Sequence, residues 1–226
     1  MAFSTSIFTS PLLPITISIV SLVVTLVTAY VSNFERSKPS VLVASQISIY
    51  NLPFQAPEGI IWGGTGVLIP MTFFNWSPNG GSIVECRITI AKTGNSNQIF
   101  DMRWGEFSEM LQTERRMGYA GFAQPIALPP KSSITKTILF AWYFSNDKNL
   151  TIDQGQYALN VLAWTTSSPK PNIRQSFGFS ISDEMAQAFA FFLKNQNPST
   201  IDVSIREISR SNSVLTNIQA KQIYDL

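Results

Sequence analysis

The densest group of ionisable side chains in this 226-residue chain is Asp101, Arg103, Glu106, Glu109, Glu114, Arg115 and Arg116. Paired carboxylates do acid–base work on a glycosidic bond only when they flank it at about 5–10 Å. Neighbours along one connector have no such relation, so the expectation is a solvated, salt-bridged loop whose functional version is polar recognition. Nucleophilic chemistry is no better served. The chain has no histidine and a single cysteine, Cys86. That removes the Ser-His-Asp and Cys-His arrangements, the usual zinc sites and any intramolecular disulfide. Cys86 falls on the apolar side of its segment, where a thiol behaves as an inert small hydrophobe.

Two further patterns bear on ligands. Trp62-Gly63-Gly64-Thr65-Gly66 is rich in glycine, but a phosphate cradle needs a following Lys-Ser/Thr and a helix. Here Val67-Leu68-Ile69 follows, which opens a strand, so a flexible β-loop is expected. Of the five tryptophans, Trp142 belongs to the apolar set of its strand. Trp76 adjoins a turn and Trp164 has the opposite parity to Tyr157, Leu159 and Val161, so these two are the candidates for an exposed, ligand-stacking surface. Sixteen basic against fourteen acidic residues give a net charge of +2, short of a nucleic-acid footprint. No catalytic, metal-binding or cofactor-binding residue is expected, and the chain reads as a non-enzyme.

These residues hang on two kinds of element. From Met1 to Phe34 there is no Asp, Glu, Lys or Arg, and Leu12 to Val31 is an apolar run with Pro14 in its first turn. Twenty helical residues rise about 30 Å, the thickness of a bilayer's hydrocarbon core. The run is too long for a signal peptide and lacks a positive start, so a retained transmembrane helix over 12–32 is expected, after a short tail, 1–11. Arg36 and Lys38 follow it, and by the positive-inside rule these topology determinants place the body in the cytoplasm. Asn75-Trp76-Ser77 and Asn149-Leu150-Thr151 match the glycosylation acceptor pattern and argue the other way.

The body, 38–182, alternates with period two. Val84, Cys86, Ile88 and Ile90 share one face against Glu85, Arg87 and Thr89; Ile138, Phe140 and Trp142, then Tyr157, Leu159 and Val161, then Phe177, Phe179 and Ile181 repeat the pattern. Turn residues, Ser77-Pro78-Asn79-Gly80-Gly81 and Ser168-Pro169-Lys170-Pro171, separate the runs. Some seven or eight strands are expected, among them Val41–Tyr50 and a short Ile99–Trp104. The pattern predicts a mainly β fold, an antiparallel immunoglobulin-like sandwich, with a closed barrel as the alternative. Ser182, Asp183 and Glu184 then cap a helix whose apolar face (Met185, Phe189, Phe192, Leu193) needs burial against the body or the membrane. Ile201 to Ile208 fits one more edge strand, and a polar tail closes the 183–226 segment.

Together the N-terminal span, the link Arg36, Lys38-Pro39, the strand entry Asn79-Gly80-Gly81-Ser82-Ile83-Val84-Glu85, Phe100–Trp104, Phe122 to Pro130 and Gly155-Gln156-Tyr157-Ala158-Leu159 resemble uncharacterised bacterial single-pass membrane proteins with one β-sandwich domain. The resemblance implies the architecture and no activity. A membrane-anchored interaction module is expected, its sandwich binding a protein partner or itself. The alternative is an extracytoplasmic domain for an envelope polymer or carbohydrate. Within the span, Ser18, Ser21, Thr25, Thr28 and Ser32 recur at spacings of three and four, a stripe suited to association with a second copy or another membrane protein. The competing expectation is that each hydroxyl bonds its own helix one turn back.

Overall fold

The computed structural model describes residues 12–34, 36–57, 59–94, 99–111, 116–143, 149–166, 170–195 and 200–208. The tails, Glu35, Glu114, Arg115, Ser168 and Pro169 lie outside them, as do the side chains of Arg116, Phe192 and Leu193.

Helix α1 (Leu12–Phe34) is long and apolar enough to cross a membrane. All its described side chains are exposed, so nothing of the body packs on it. It ends on the stacked rings of Tyr30 and Phe34, 5.9 Å apart.

Among the described residues twelve strands follow: β1 (Pro39–Val43), β2 (Gln46–Ala56), β3 (Gly59–Asn75), β4 (Gly81–Lys92), β5 (Ile99–Leu111), β6 (Arg116–Phe122), β7 (Ile126–Leu128), β8 (Ser132–Tyr143), β9 (Gly155–Thr165), β10 (Ile173–Ile181), and, after helix α2 (Asp183–Lys194), β11 (Thr200–Ser204) and β12 (Arg206–Glu207). Every pairing is antiparallel, in the order β11-β2-β3-β8-β5-β4-β9-β10-β12, with β1 on β3, β6 on β5 and β7 on β4. Two layers result, and they are joined at both sides. Residues 99–103 of β5 pair with β4, whereas its later residues pair with β8 and β6. The register slips between Trp104 and Glu106, so Gly105 is the extra residue that bends the strand from one layer into the other. On the opposite side buried Ile205 separates β11, on β2, from β12, on β10, and its N–H donates to the Ser45 carbonyl at 2.8 Å. The path is therefore nearly closed, closer to the barrel alternative than to two separate sheets.

The expected count of seven or eight strands falls short for local reasons. The run Val41–Tyr50 breaks at Ala44 and Ser45 into β1 and β2, which share the long β3 as partner. The glycine-rich stretch is no loop but part of β3. Glycine is needed there because neighbours come close: a Cβ on Gly64 would strike the Trp142 carbonyl, and one on Gly66 would meet the Tyr50 ring at 2.8 Å. The carboxylate-rich segment is likewise no solvated loop; its described part forms the β5–β6 hairpin.

Strand parity places the core as expected. Cys86, Ile88 and Ile90 of β4, Leu159 and Val161 of β9, and Phe177 and Phe179 of β10 face Ile47, Ile49, Val67, Ile69, Phe73, Ile138 and Phe140 of the other layer. Each fully buried aliphatic or aromatic side chain stabilises by about 1.5–3 kcal/mol before the entropy of ordering it is set against it. Val84 is half-buried at a bulge, and Ile83 takes the inward place beside it. The other face of β4 corrects the expectation of a solvated surface, because Arg87 and Thr89 are buried, as are Asn160 and Leu162 of β9.

Helix α2 starts where the sequence marks it. Ser182 caps it, its hydroxyl accepting from the Met185 N–H at 3.2 Å, and Asn195 closes it. Phe189 is fully buried, edge-on to Trp62, and Met185 packs on the core. The two described residues of the expected apolar face, Met185 and Phe189, thus turn to the body.

Candidate functional site at the tethered end

The chain leaves α1 through residues 35–38 and enters β1, whose first residue, Pro39, pairs with Asn75, the last residue of β3. Asn75 also pairs with Ser132, the first residue of β8, and Gly81 at the start of β4 pairs with Leu128 at the end of β7. β9 ends and β10 begins at the same end of the body. The linker packs here: a Cβ on Gly81 would collide with Ser37 and come within 3.3 Å of Pro39.

Asn75 is the hub of this end. Fully buried, it donates from Nδ2 to the carbonyls of Asn79 (2.8 Å), Leu128 (3.2 Å) and Pro129 (3.1 Å), and its Oδ1 accepts from the Ser77 N–H at 3.2 Å. A buried amide satisfied on both sides fixes the backbone around it. Its amide is thus committed to structure, which removes the first of the two glycosylation matches. The Lys131 N–H donates to the Ser77 carbonyl at 3.2 Å, and Lys131 has a left-handed backbone, φ +49°, in the turn before β8.

Those turns hold Trp76 outward. It is 72% exposed, its ring stacked on Phe74 at 5.8 Å with an 8° angle between planes. At the same end of the body the side chains of Arg36, Lys38, Lys131, Lys170 and Arg174 are exposed. Segments 35–40, 74–82, 128–133 and 170–174 hold these five cations and one carboxylate, Glu35. The exposed tryptophan therefore shares its end of the body with charged side chains that are mostly cationic. Sequence spacing singled out Trp76, Arg36 and Lys38, but not that strand pairing adds Lys131, Lys170 and Arg174 to them.

The second tryptophan is a correction. Trp164 is 8% exposed, with the Arg87 guanidinium over its ring at 5.1 Å. Arg87 Nε lies 2.6 Å from Glu85 Oε1 and its Nη1 3.6 Å from Asp101 Oδ2, while Arg103 Nε reaches Glu85 Oε1 at 3.5 Å. Burial holds the Asp101 carboxyl above its usual range despite Arg87 and Arg103, and its Oδ1 is buried without a hydrogen-bond partner. Thr89 Oγ1 accepts from Asn160 Nδ2 at 3.0 Å, and Asn160 Oδ1 accepts from Ser176 at 2.8 Å. This polar sheet face is structural, and parity alone gives no sign of it because these residue types are the ones that normally meet water.

Burial pushes the Cys86 thiol well up, with Glu85 adding to the shift, so its thiolate is suppressed. Among the described residues no three His, Cys, Asp or Glu side chains converge on a metal-sized site. In α1, Ser18 and Thr25 donate to the carbonyls of Pro14 and Ser21, both at 2.8 Å. Two of the stripe's hydroxyls are thus bonded within their own helix; Ser21, Thr28 and Ser32 lie exposed along it.

One surface escaped the sequence reading. β6 pairs with β5 alone among the described strands and carries Tyr119 and Phe122, 57% and 75% exposed, edge to face at 5.6 Å. Beside them is a groove of about 380 Å³ lined by Phe107, Pro125, Ile126, Ile134 and Lys136. The signal was the aromatic pair spaced by Ala120-Gly121 ahead of Pro125. Comparison with known protein families, curated proteins and solved structures gives no match for this chain.

Proposed function

We propose that this chain is a membrane-anchored, non-enzymatic interaction module, with α1 as its single span and the β body as the part that binds a protein partner or a second copy. The observation that carries the binding half is β6. It is an edge strand with two exposed aromatics beside a groove of mixed polarity, and edge strands and exposed aromatics are where partners add. The anchoring half rests on α1, whose apolar surface is bare of protein along its whole length.

The finer architecture is an immunoglobulin-like sandwich. Its support is the order of the long strands: the first, second, fifth and fourth (β2, β3, β8, β5) lie side by side, as do the third, sixth and seventh (β4, β9, β10). That is the two-sheet order of immunoglobulin constant-type domains. The resemblance to bacterial single-pass proteins with one such domain fits the same reading. By the positive-inside rule Arg36 and Lys38 favour the cytoplasm for the body, and the Ser21–Thr25 stripe is the helix's own association surface.

Three measurements test this. Reporters fused after Leu226, one active only in the cytoplasm and one only outside it, decide the side, and activity of the second overturns the cytoplasmic placement. Tyr119→Ser with Phe122→Ser in the full chain should abolish chemical cross-linking through the body. Ser21→Leu with Thr25→Leu should abolish disulfide cross-linking between cysteines introduced along the span. Cross-linking unaffected by either pair leaves the module without an interaction surface and overturns the proposal.

A further inference from the structure

We infer that the Trp76 end of the body is a lipid-headgroup docking surface, on which the sandwich rests against the anionic face of the same membrane that α1 crosses. The inference deepens the anchoring reading and rests on it. Five Cα steps separate Phe34 from Pro39, a reach of at most about 18 Å. Pro39 lies opposite Asn75 in the β1–β3 register, and Trp76 is the next residue. The exit from the bilayer and the exposed indole are therefore held close by covalent chain and sheet register.

The chemistry of this end fits a headgroup layer and little else. Tryptophan prefers the membrane–water interface, where its apolar ring and its N–H are both accommodated. Tyr30 and Phe34 already form an aromatic step at the helix end, and Trp76 on Phe74 makes a second one on the body. Arg36, Lys38, Lys131, Lys170 and Arg174, all exposed, supply cations for lipid phosphates, against one carboxylate, Glu35, in the linker sequence. Basic residues beside a span are attracted by anionic lipid over about a Debye length.

The surface is also rigid, which a docking face requires if it is to fix the orientation of the body. Asn75 ties the β3–β4 and β7–β8 turns together through four hydrogen bonds. Trp76 and Lys131 project from these two turns, joined by the Lys131–Ser77 backbone bond. A protein partner that needed a cationic, aromatic face would have to fit between the body and the bilayer within the reach of a four-residue linker.

The test uses the full chain in vesicles of phosphatidylcholine, with and without phosphatidylglycerol. Single cysteines carrying an environment-sensitive fluorophore are placed at exposed Pro130 beside Trp76, at Phe54 on the far β2–β3 hairpin, and at Val23 within the span. Nitroxide lipids labelled at the headgroup or deep in the acyl chain are the quenchers. Headgroup nitroxide should quench Pro130→Cys several-fold more than Phe54→Cys, more strongly with phosphatidylglycerol present. Trp76→Ser with Lys131→Gln should reduce the difference to near zero while the thermal midpoint of the body is retained. Equal quenching at 130 and 54 overturns the inference. So does quenching at 130 that ignores both phosphatidylglycerol and the double substitution, since nearness would then come from the linker alone. Val23→Cys separates the two failures: unquenched by deep nitroxide, it overturns the anchor itself; quenched there while 130 matches 54, it leaves the anchor standing and the docking surface refuted.

Discussion

The guanidinium of Arg87 lies 5.1 Å from the centre of the Trp164 ring, on the side of β4 and β9 that faces away from the core between the layers. It is almost wholly buried there, between Glu85, Asp101 and the indole. Arg87→Ala removes the buried partner of two partly exposed carboxylates and the cover of Trp164, and should destabilise the body by about 2 kcal/mol. Arg87→Met keeps the stem over the ring and should recover part of that. Urea denaturation of the three proteins checks the order; equal midpoints for Ala and wild type would refute it.

Asp101 gives this cluster a pH signature. Its carboxyl holds a proton more tightly in the folded chain than in the unfolded one, first because of desolvation and against the pull of Arg87 and Arg103. Its contribution to stability is thus fully present below the unfolded value, about 3.9, and is lost as pH rises through the higher folded value. Asp101→Asn removes that titration. The stability of wild type minus that of the variant should fall as pH rises across that window; a flat difference would contradict the assignment.

Strand β4 is buried on both faces, so two opposite substitutions should both be damaging. Ile88→Asp puts a charge between the layers. Thr89→Asp puts one beside Asp101, its direct partner across the strands, and breaks the bond from Asn160. A cost of about 3 kcal/mol is expected for Thr89→Asp, far above an ordinary surface change. A thermal midpoint within a degree or two of wild type would overturn it.

Asn75→Asp replaces an amine that donates to three carbonyls by an oxygen that repels them. The expected loss is about 3 kcal/mol, or about 6–12 °C in thermal midpoint for a domain of this size. Asn75→Asp should also change the emission of Trp76, because the turn that carries it loses its hub. An unchanged melt would mean that the turns hold without it.

Cys86 should resist a maleimide in the native chain and react once the body is unfolded, since the thiol is fully buried and its ionisation suppressed. Topology by thiol labelling therefore needs an introduced surface cysteine, such as one at Ser133. Labelling of Cys86 in the native chain at the unfolded rate would refute its burial.

What could be read from the sequence is what local periodicity encodes. The span, the inward set of Cys86, Ile88 and Ile90, the Ser182 cap and the exposure of Trp76 each follow from neighbours within a few residues. Burial of Trp164, Arg87 and Thr89 does not, because it depends on which strands flank β4 and β9, and parity cannot count flanking strands. The same holds for Gly64 and Gly66. Glycines in a row look like a loop until Tyr50 and Trp142, brought in by pairing, show why no Cβ fits. The cationic end around Trp76 was half legible: Arg36 and Lys38 flank the span, while Lys131, Lys170 and Arg174 reach it only through strand register.

The two joints between the layers differ in when they can form. The one at Gly105 links β4, β5 and β8, whose partners lie near one another along the chain, so its loops close early and at small entropic cost. The one at Ile205 must bring β11 back to β2, across almost the whole body. Such distant pairing slows folding and leaves edges open meanwhile. Until residues 200–208 arrive, β2 and β10 each expose an unpaired side, so the time for which the two layers stay unlatched is a kinetic quantity set by the last strand to arrive.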